Sequence, residues 1–439
     1  MADEAPAKAS PEAARLETPS RERLLARYAK TESFAKSILF AEIAVGILVL
    51  VWIAVRVPRP FGWLPWVAFA VGGLGVFRWF LHHLFLNKKR IEEIPPDAHF
   101  GDHTRDSLVE LCRETFARLG LRRGAVPVFL IRAKDINAQA LRCELWPGLH
   151  LFNGVYLNRS TIHLLDAREL ASVIGHELGH VIPYSPLLAR CYVVHSLLAG
   201  LVSFALAATF PHPGVALIAP LAVLWVLDWV VALPHLGWSR GIEFLCDDFG
   251  ARAAGLLPAL SSELKFAIEQ EMRQRLLLRV LTARKSGSGV ALSELVEAYE
   301  EAIPFGRADT ESFERELRNS TSKQQQSEGS ISLGGFLRHL QGTGNGARED
   351  EWVEEQIGVS AALDSLPIVP LDRAAYLVGS QGWSHRMAED LTAAIVAHPG
   401  CLLVRLPLEL DDSGATHPSA ARRILFLWRN RAAYPGHGG

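Results

Sequence analysis

Two histidines four positions apart, with a glutamate between them, are the residues of this chain best suited to do chemistry. They lie in Val173-Ile174-Gly175-His176-Glu177-Leu178-Gly179-His180. On a helix, positions i and i+4 share a face, so the imidazoles of His176 and His180 can reach one zinc ion. Glu177 stands beside them, where its carboxylate can take a proton from water at the metal. The flanking Leu170, Val173, Ile174, Val181 and Ile182 are apolar at helical spacing, which is the context the motif requires. The plain alternative is a pair of histidines on a surface helix with no metal.

A catalytic zinc commonly takes three protein ligands and keeps an open position. Glu243 lies 63 positions past His180, within Ser239-Arg240-Gly241-Ile242-Glu243-Phe244-Leu245-Cys246-Asp247-Asp248. Glu243 and Asp247 are again i and i+4 on an expected helix. Glu243 can be the third ligand, while Asp247 accepts the spare N–H of a ligand histidine and fixes its tautomer. Cys246, three positions after Glu243, is expected to pack rather than to bind metal. His150, His163, His212 and His235 have no ligand spacing.

The elements that position these residues include long apolar stretches. The chain has 439 residues, 49% hydrophobic and 21% charged, and its mean hydropathy is +0.15. A positive value at this length points to partial solvation by lipid. Lys+Arg 45 against Asp+Glu 47 gives a net charge of -2, which excludes a broad basic surface for nucleic acid. Five cysteines without C-x-x-C spacing argue against a disulfide framework and for reduced thiols in a cytosol-like compartment.

Four stretches can each span a bilayer, whose ~30 Å core needs about 20 helical residues. They are Ser37–Val57, Phe61–Phe77, Cys191–Phe210 and Gly214–Trp238. Short connections at Arg56–Pro60 and Pro211-His212-Pro213 make two hairpins. Buried core helices would show the same periodicity. Asp228 of the fourth stretch either lines an entry path or pairs with His195. Arg21, Arg23, Arg27, Lys30 and Lys36 precede the first hairpin and Lys88, Lys89 and Arg90 follow it. That bias puts both termini and the polar regions on the cytoplasmic side.

Seven regions follow: a polar, disordered segment 1–35; a first hairpin 36–90; a catalytic part 91–190; a second hairpin 191–238; a second catalytic part 239–318; a mobile linker 319–350; and a C-terminal part 351–439. The linker is Ser/Gln/Gly-rich, with Gln324-Gln325-Gln326 inside it, too polar to build a core. Helices are expected over 104–120, 167–182 and 258–284. Strands are expected over 126–132 and 149–158.

H-E-L-G-H followed, after an apolar hairpin, by S-R-x-x-E-x-x-x-D resembles the HtpX-type membrane zinc peptidases, relatives of the CaaX prenyl-protein endopeptidases. Asn137-Ala138-Gln139-Ala140 is similar to the family's N-A-x-A segment, and His417-Pro418 with Arg423 to its late H-P-x-x-x-x-R element. The resemblance implies a mainly α membrane protein: four transmembrane helices in two hairpins, plus a cytoplasmic α+β zincin-like catalytic domain with a small edge sheet. It implies one Zn²⁺ per chain on His176, His180 and Glu243, with Glu177 as general base. His417 and Arg423 become oxyanion or substrate contacts, and Asn137, Ala138 and Ala140 substrate-binding residues. Arg240 is read as orienting an acid near the metal, or as a surface ion pair.

The activity so implied is a membrane-embedded endopeptidase of a bacterial-type inner membrane, acting in membrane-protein quality control. Its partners would be polypeptide substrates and the lipid bilayer; no oligomeric state is implied. An extended substrate could add to the edge of the strand at 149–158. The rival readings are a non-proteolytic protein with a structural zinc and a dedicated prenyl-protein processing protease. One departure from the family stands out: Thr416 is 169 positions past Asp247, and the insertion between them could be a gate, a recruiting loop or a tether.

Overall fold

The computed structural model describes residues 18–57, 62–73, 88–122, 124–131, 138–146, 149–185, 187, 191–210, 212–232, 239–269, 376, 378–397 and 418–435. The linker 319–350, Asn137 and His417 lie outside these residues.

Helix α1 (Arg21–Arg56) starts at Ser20, whose side chain accepts from the Arg23 N–H. Its 36 residues make a rod about 54 Å long at 1.5 Å per residue. The two ends of the rod meet different surroundings. Near its start, Leu24 packs with Tyr184, Ile242, Phe244, Leu245 and Phe426. Arg21 pairs with the buried Asp248 at 3.0 Å, and Tyr28 meets the Tyr184 ring edge-on. Residues 21–35, expected to be part of a disordered segment, are therefore helical because the catalytic region supplies partners for them. Further along, Phe40, Ile47, Leu48, Trp52 and Val55 are exposed.

Helix α2 (Trp63–Gly72) is followed by strand β1 (Lys88–Arg90) and a two-stranded ribbon of β2 (His99–Phe100) and β3 (His103–Thr104). Helix α3 (Arg105–Arg118) is capped by Thr104. Strands β4 (Val128–Ile131), β5 (Ala138–Trp146) and β6 (Leu149–Asn158) join β1 in one sheet of order β1-β4-β6-β5. β4 and β6 run parallel; the other two pairings are antiparallel. The strand expected over 149–158 is thus present as β6, but it is not an edge. β5 covers it and takes the outer position. Alternation of side chains identifies a strand without naming its neighbours.

Helix α4 (Arg159–Leu164) leads into α5 (Ala167–Val181), which carries the histidine motif. Leu170, Ile174 and Leu178 of α5 join Leu108 and Phe116 of α3 and Val155 and Leu157 of β6 in the main core. One side of the motif helix is anchored by this cluster.

Helices α6 (Tyr192–Thr209) and α7 (Pro213–Ala232) pack with α2 into an apolar group, and α6 also packs on α1. A Cβ on Gly72 would sit 3.0 Å from the Ala199 carbonyl oxygen, so α2 and α6 touch backbone to backbone. Trp63, Trp66, Ile218, Leu221, Trp225 and Trp229 are exposed. Among the described residues, α1 alone is long and apolar enough to cross a membrane by the combined test of length and hydropathy. Trp63–Gly72, Val193–Thr209 and Ile218–Leu227 are shorter apolar helices. Of the four expected spans, this test therefore supports one. Nδ1 of His195 lies 3.0 Å from Glu42 of α1, an acid partner other than the Asp228 weighed from the sequence.

Helix α8 (Ser239–Ala254) lies against α5. Gly255, at φ +98°, turns the chain into α9, helical over 256–269; a side chain is disfavoured at that φ. Helices α10 (His385–Ala397) and α11 (Ala420–Arg429) complete a second core. Leu260 and Leu264 of α9 meet Leu391 and Ile395 of α10 and Ile424 and Leu427 of α11 there.

Candidate metal centre

The motif helix is held firmly at its start. Asp166 accepts from the Arg168 and Glu169 N–H groups, both at 2.9 Å, while Glu169 accepts from the Asp166 N–H at 2.9 Å. The other Asp166 oxygen accepts from the Ser380 N–H at 2.6 Å. Burial raises the Asp166 carboxyl, but the backbone donors of Glu169 and Ser380 outweigh it and leave the group below its usual range. Glu169 is itself buried, and Lys265 of α9 lies 2.7 Å from it.

Glycines set how near α8 can come. Gly175 and Gly179 form one row on α5, adjacent to the row of His176 and His180. A Cβ on Gly175 would lie 2.9 Å from the Gly250 Cα, and one on Gly179 would lie 3.1 Å from the Cys246 Sγ. Cys246 is buried in this contact, and burial first among its surroundings raises its thiol. It packs there, and the three ligand candidates come together without it.

This close approach sets Glu243 and Asp247 over the histidine row. Glu243 reaches within 3.4 Å of His176 Nε2 and 3.5 Å of His180 Nε2. The two Nε2 atoms are 3.2 Å apart. The 3.2 Å between the imidazole nitrogens suits a tetrahedral zinc with bonds of about 2.0–2.1 Å, and one atom from each of His176, His180 and Glu243 lies within 4.8 Å of the others, so the three can share one ion. Asp247 lies 2.8 Å from His176 Nδ1, leaving Nε2 to face the shared point. Burial disfavours a charged His176, yet hydrogen bonds to Asp247 and Glu243 overcome it and lift the ring to about 10.

Glu177 is buried beside this point. Burial raises its carboxyl and outweighs the opposing pull of His176 and His180. A carboxyl raised in this way is a better proton acceptor than a solvated one.

Arg423 of α11 lies behind Asp247. Its Nε donates to Asp247 Oδ2 at 2.8 Å, its Nη2 donates to Oδ1, and its Nη1 lies 2.7 Å from Glu263 of α9. Expected to face substrate or the oxyanion, Arg423 is instead engaged by two buried carboxylates. Glu263 was not singled out from the sequence. The signal for it was a charged residue at a core-facing position of α9, between Leu260 and Leu264.

A family model for peptidase family M48 matches residues 106–430, well over half of the chain. The chain belongs to peptidase family M48. No curated protein matches it, and no solved structure does.

Of the other site residues expected in this M48 metallopeptidase, Ala138, Ala140 and Arg240 fall among the described residues. Ala138 and Ala140 lie on β5; Ala138 is buried in the main core, and Ala140, partly buried, packs against it. Arg142 of the same strand donates to the Val181 and Ile182 carbonyls at 2.8 and 3.1 Å. That ties β5 to the end of the motif helix. Arg240 is in the first turn of α8, partly buried, one turn before Glu243.

Proposed function

We propose that this M48 metallopeptidase is a membrane-anchored zinc endopeptidase, one zinc per chain, that cleaves polypeptides and serves membrane-protein quality control. The observation that carries the reading is the convergence of His176, His180 and Glu243 on one point, with the buried Glu177 alongside. When bound, the ion would supply Lewis-acid polarisation of water and of the scissile carbonyl.

The chain's own residues account for the rest. Asp247 holds the Nδ1 proton of His176 and keeps Nε2 free to bind metal. Glu177 takes a proton from the attacking water and returns it to the leaving amine. An extended substrate adds to the outer side of β5, where main-chain groups provide affinity with little demand on sequence. Edge addition of this kind suits broad specificity. His417, next to Pro418 at the approach to α11, is assigned to the oxyanion on the family resemblance.

For the membrane, we assign α1, α2, α6 and α7 as spans in two hairpins. The exposed tryptophans and aliphatic residues of these helices support lipid as their solvent. Arg21, at the catalytic end of α1, and Lys88–Arg90, in the catalytic sheet, put a basic flank on the catalytic side, which the positive-inside rule makes cytoplasmic.

The test uses the full chain purified in detergent, its zinc content, and its turnover of an unfolded casein-like substrate. Zinc near one per chain with chelator-sensitive cleavage is expected. Full zinc without cleavage would favour the non-proteolytic reading.

A further inference from the structure

Glu263 is a buried carboxylate that the peptidase chemistry leaves without a task. It sits on α9 between Leu260 and Leu264, which are fully buried, and an unpaired charge there would be costly. Its partner is Arg423 Nη1, at 2.7 Å. The opposite side of the same guanidinium holds both oxygens of Asp247. Asp247 in turn meets His176 Nδ1 at 2.8 Å. A carboxylate, a guanidinium and a second carboxylate thus run in line to one ligand imidazole.

The arrangement has a built-in competition. Arg423 Nη2 and His176 Nδ1 both engage Asp247 Oδ1, and they stand 3.4 Å from each other. Two donors on one oxygen repel, and a guanidinium that neutralises Asp247 weakens it as an acceptor for the imidazole N–H. A second carboxylate behind Arg423 counters both effects. It draws the guanidinium away from the histidine and offsets its charge.

We propose that Glu263 is a positioning residue of the metal centre: by binding the far side of Arg423, it keeps Asp247 free to orient His176 and sustain its strength as a ligand. The inference rests on the zinc-peptidase reading and adds to it a residue that touches neither metal nor substrate. Groups behind a ligand histidine commonly change metal affinity 10–100-fold, on the order of the effect expected here.

The experiment compares wild type, Glu263→Gln and Glu263→Ala as full chains in detergent. Gln keeps the shape and an acceptor for Arg423 but removes the charge. Zinc affinity is measured by chelator competition, kcat and KM on a peptide, and the cobalt-substituted absorption spectrum beside them. Glu263→Gln should bind zinc about 10-fold more weakly, lose kcat with KM nearly unchanged, and shift the cobalt bands. Glu263→Ala should do more of each; if it does not fold, Glu263→Gln decides alone. Unchanged zinc affinity, kcat and cobalt spectrum in Glu263→Gln would overturn the inference, even with a lowered melting temperature, because Glu263 would then be a stabilising pair only. Wild type that takes up no zinc would sink the peptidase reading and this inference together. A zinc-loaded, active wild type beside an indifferent Glu263→Gln would sink this inference alone.

Discussion

The contact between α5 and α8 and the contact between α2 and α6 use one device for opposite ends. Both bring helix backbones together through glycine: Gly175, Gly179 and Gly250 in the first, Gly72 and Gly200 in the second. At α5 and α8 the proximity gathers polar side chains, so that His176, His180, Glu243 and Asp247 share a few ångströms. At α2 and α6 it serves packing alone, with Phe69 over Gly200 and Trp66 against Phe204. Close approach of helices is therefore neutral as to function. What differs is the adjacent row of side chains and the solvent outside, water for one region and, as proposed, lipid for the other.

The comparison breaks first at its buried charges. Lys265→Ala takes the cation from the buried Glu169 at the start of the motif helix, where hydrogen bonds from Ser261 and the Asp166 N–H remain, and should cost about 3–5 kcal/mol. Chemical denaturation would read it. Next comes the close approach itself. A Cβ at Gly250 would stand 2.5 Å from the Ser172 carbonyl oxygen, and Gly250→Ala should cost about 1–3 kcal/mol by overpacking. Because the helices must separate, zinc affinity should fall with it. Retained stability and zinc affinity would deny that backbone contact sets the ligand geometry.

Smaller effects sharpen the contrast. Asp166→Asn should lose about 1 kcal/mol as a weakened cap. The Asp166 carboxyl is depressed in the fold, so its contribution is complete above its unfolded value. That contribution drains away as pH falls below about 4 toward the folded value. The variant should therefore show a flatter acid limb in thermal melts. Smallest is the polar pair of the apolar helices. A double-mutant cycle on Glu42 and His195 should give a coupling of about 0.6 kcal/mol, as for polar contacts within membranes. A coupling of several kcal/mol would place that pair in the same class as Glu169 and Lys265.

How much of this was legible in the sequence follows from the physics of each part. His176, His180, Glu243 and Asp247 could be read because i and i+4 spacing is a geometric fact about helices, independent of tertiary context. The catalytic-side stretch of α1 was read as disordered because Arg21, Tyr28 and Glu32 look solvated until Asp248, Tyr184 and Leu187 meet them. The position of β6 inside the sheet depends on strand order, which alternation does not encode. Glu263 stands at a core-facing position between Leu260 and Leu264, and Lys265 follows it, but the chain does not encode what either would meet. Both are buried only because α5 and α11 supply partners from 96 and 160 positions away. Which side of Asp247 Arg423 occupies has no signature in the chain.

The decisive measurement is zinc content and peptide turnover on one preparation of Glu177→Gln. Glu177 lies beside the three ligand candidates without being one of them. The variant should keep wild-type zinc and lose about 10²-fold or more in kcat. Turnover at the wild-type rate with zinc in place would contradict the assignment of Glu177 as the base, and loss of the zinc would contradict the assignment of the ligands.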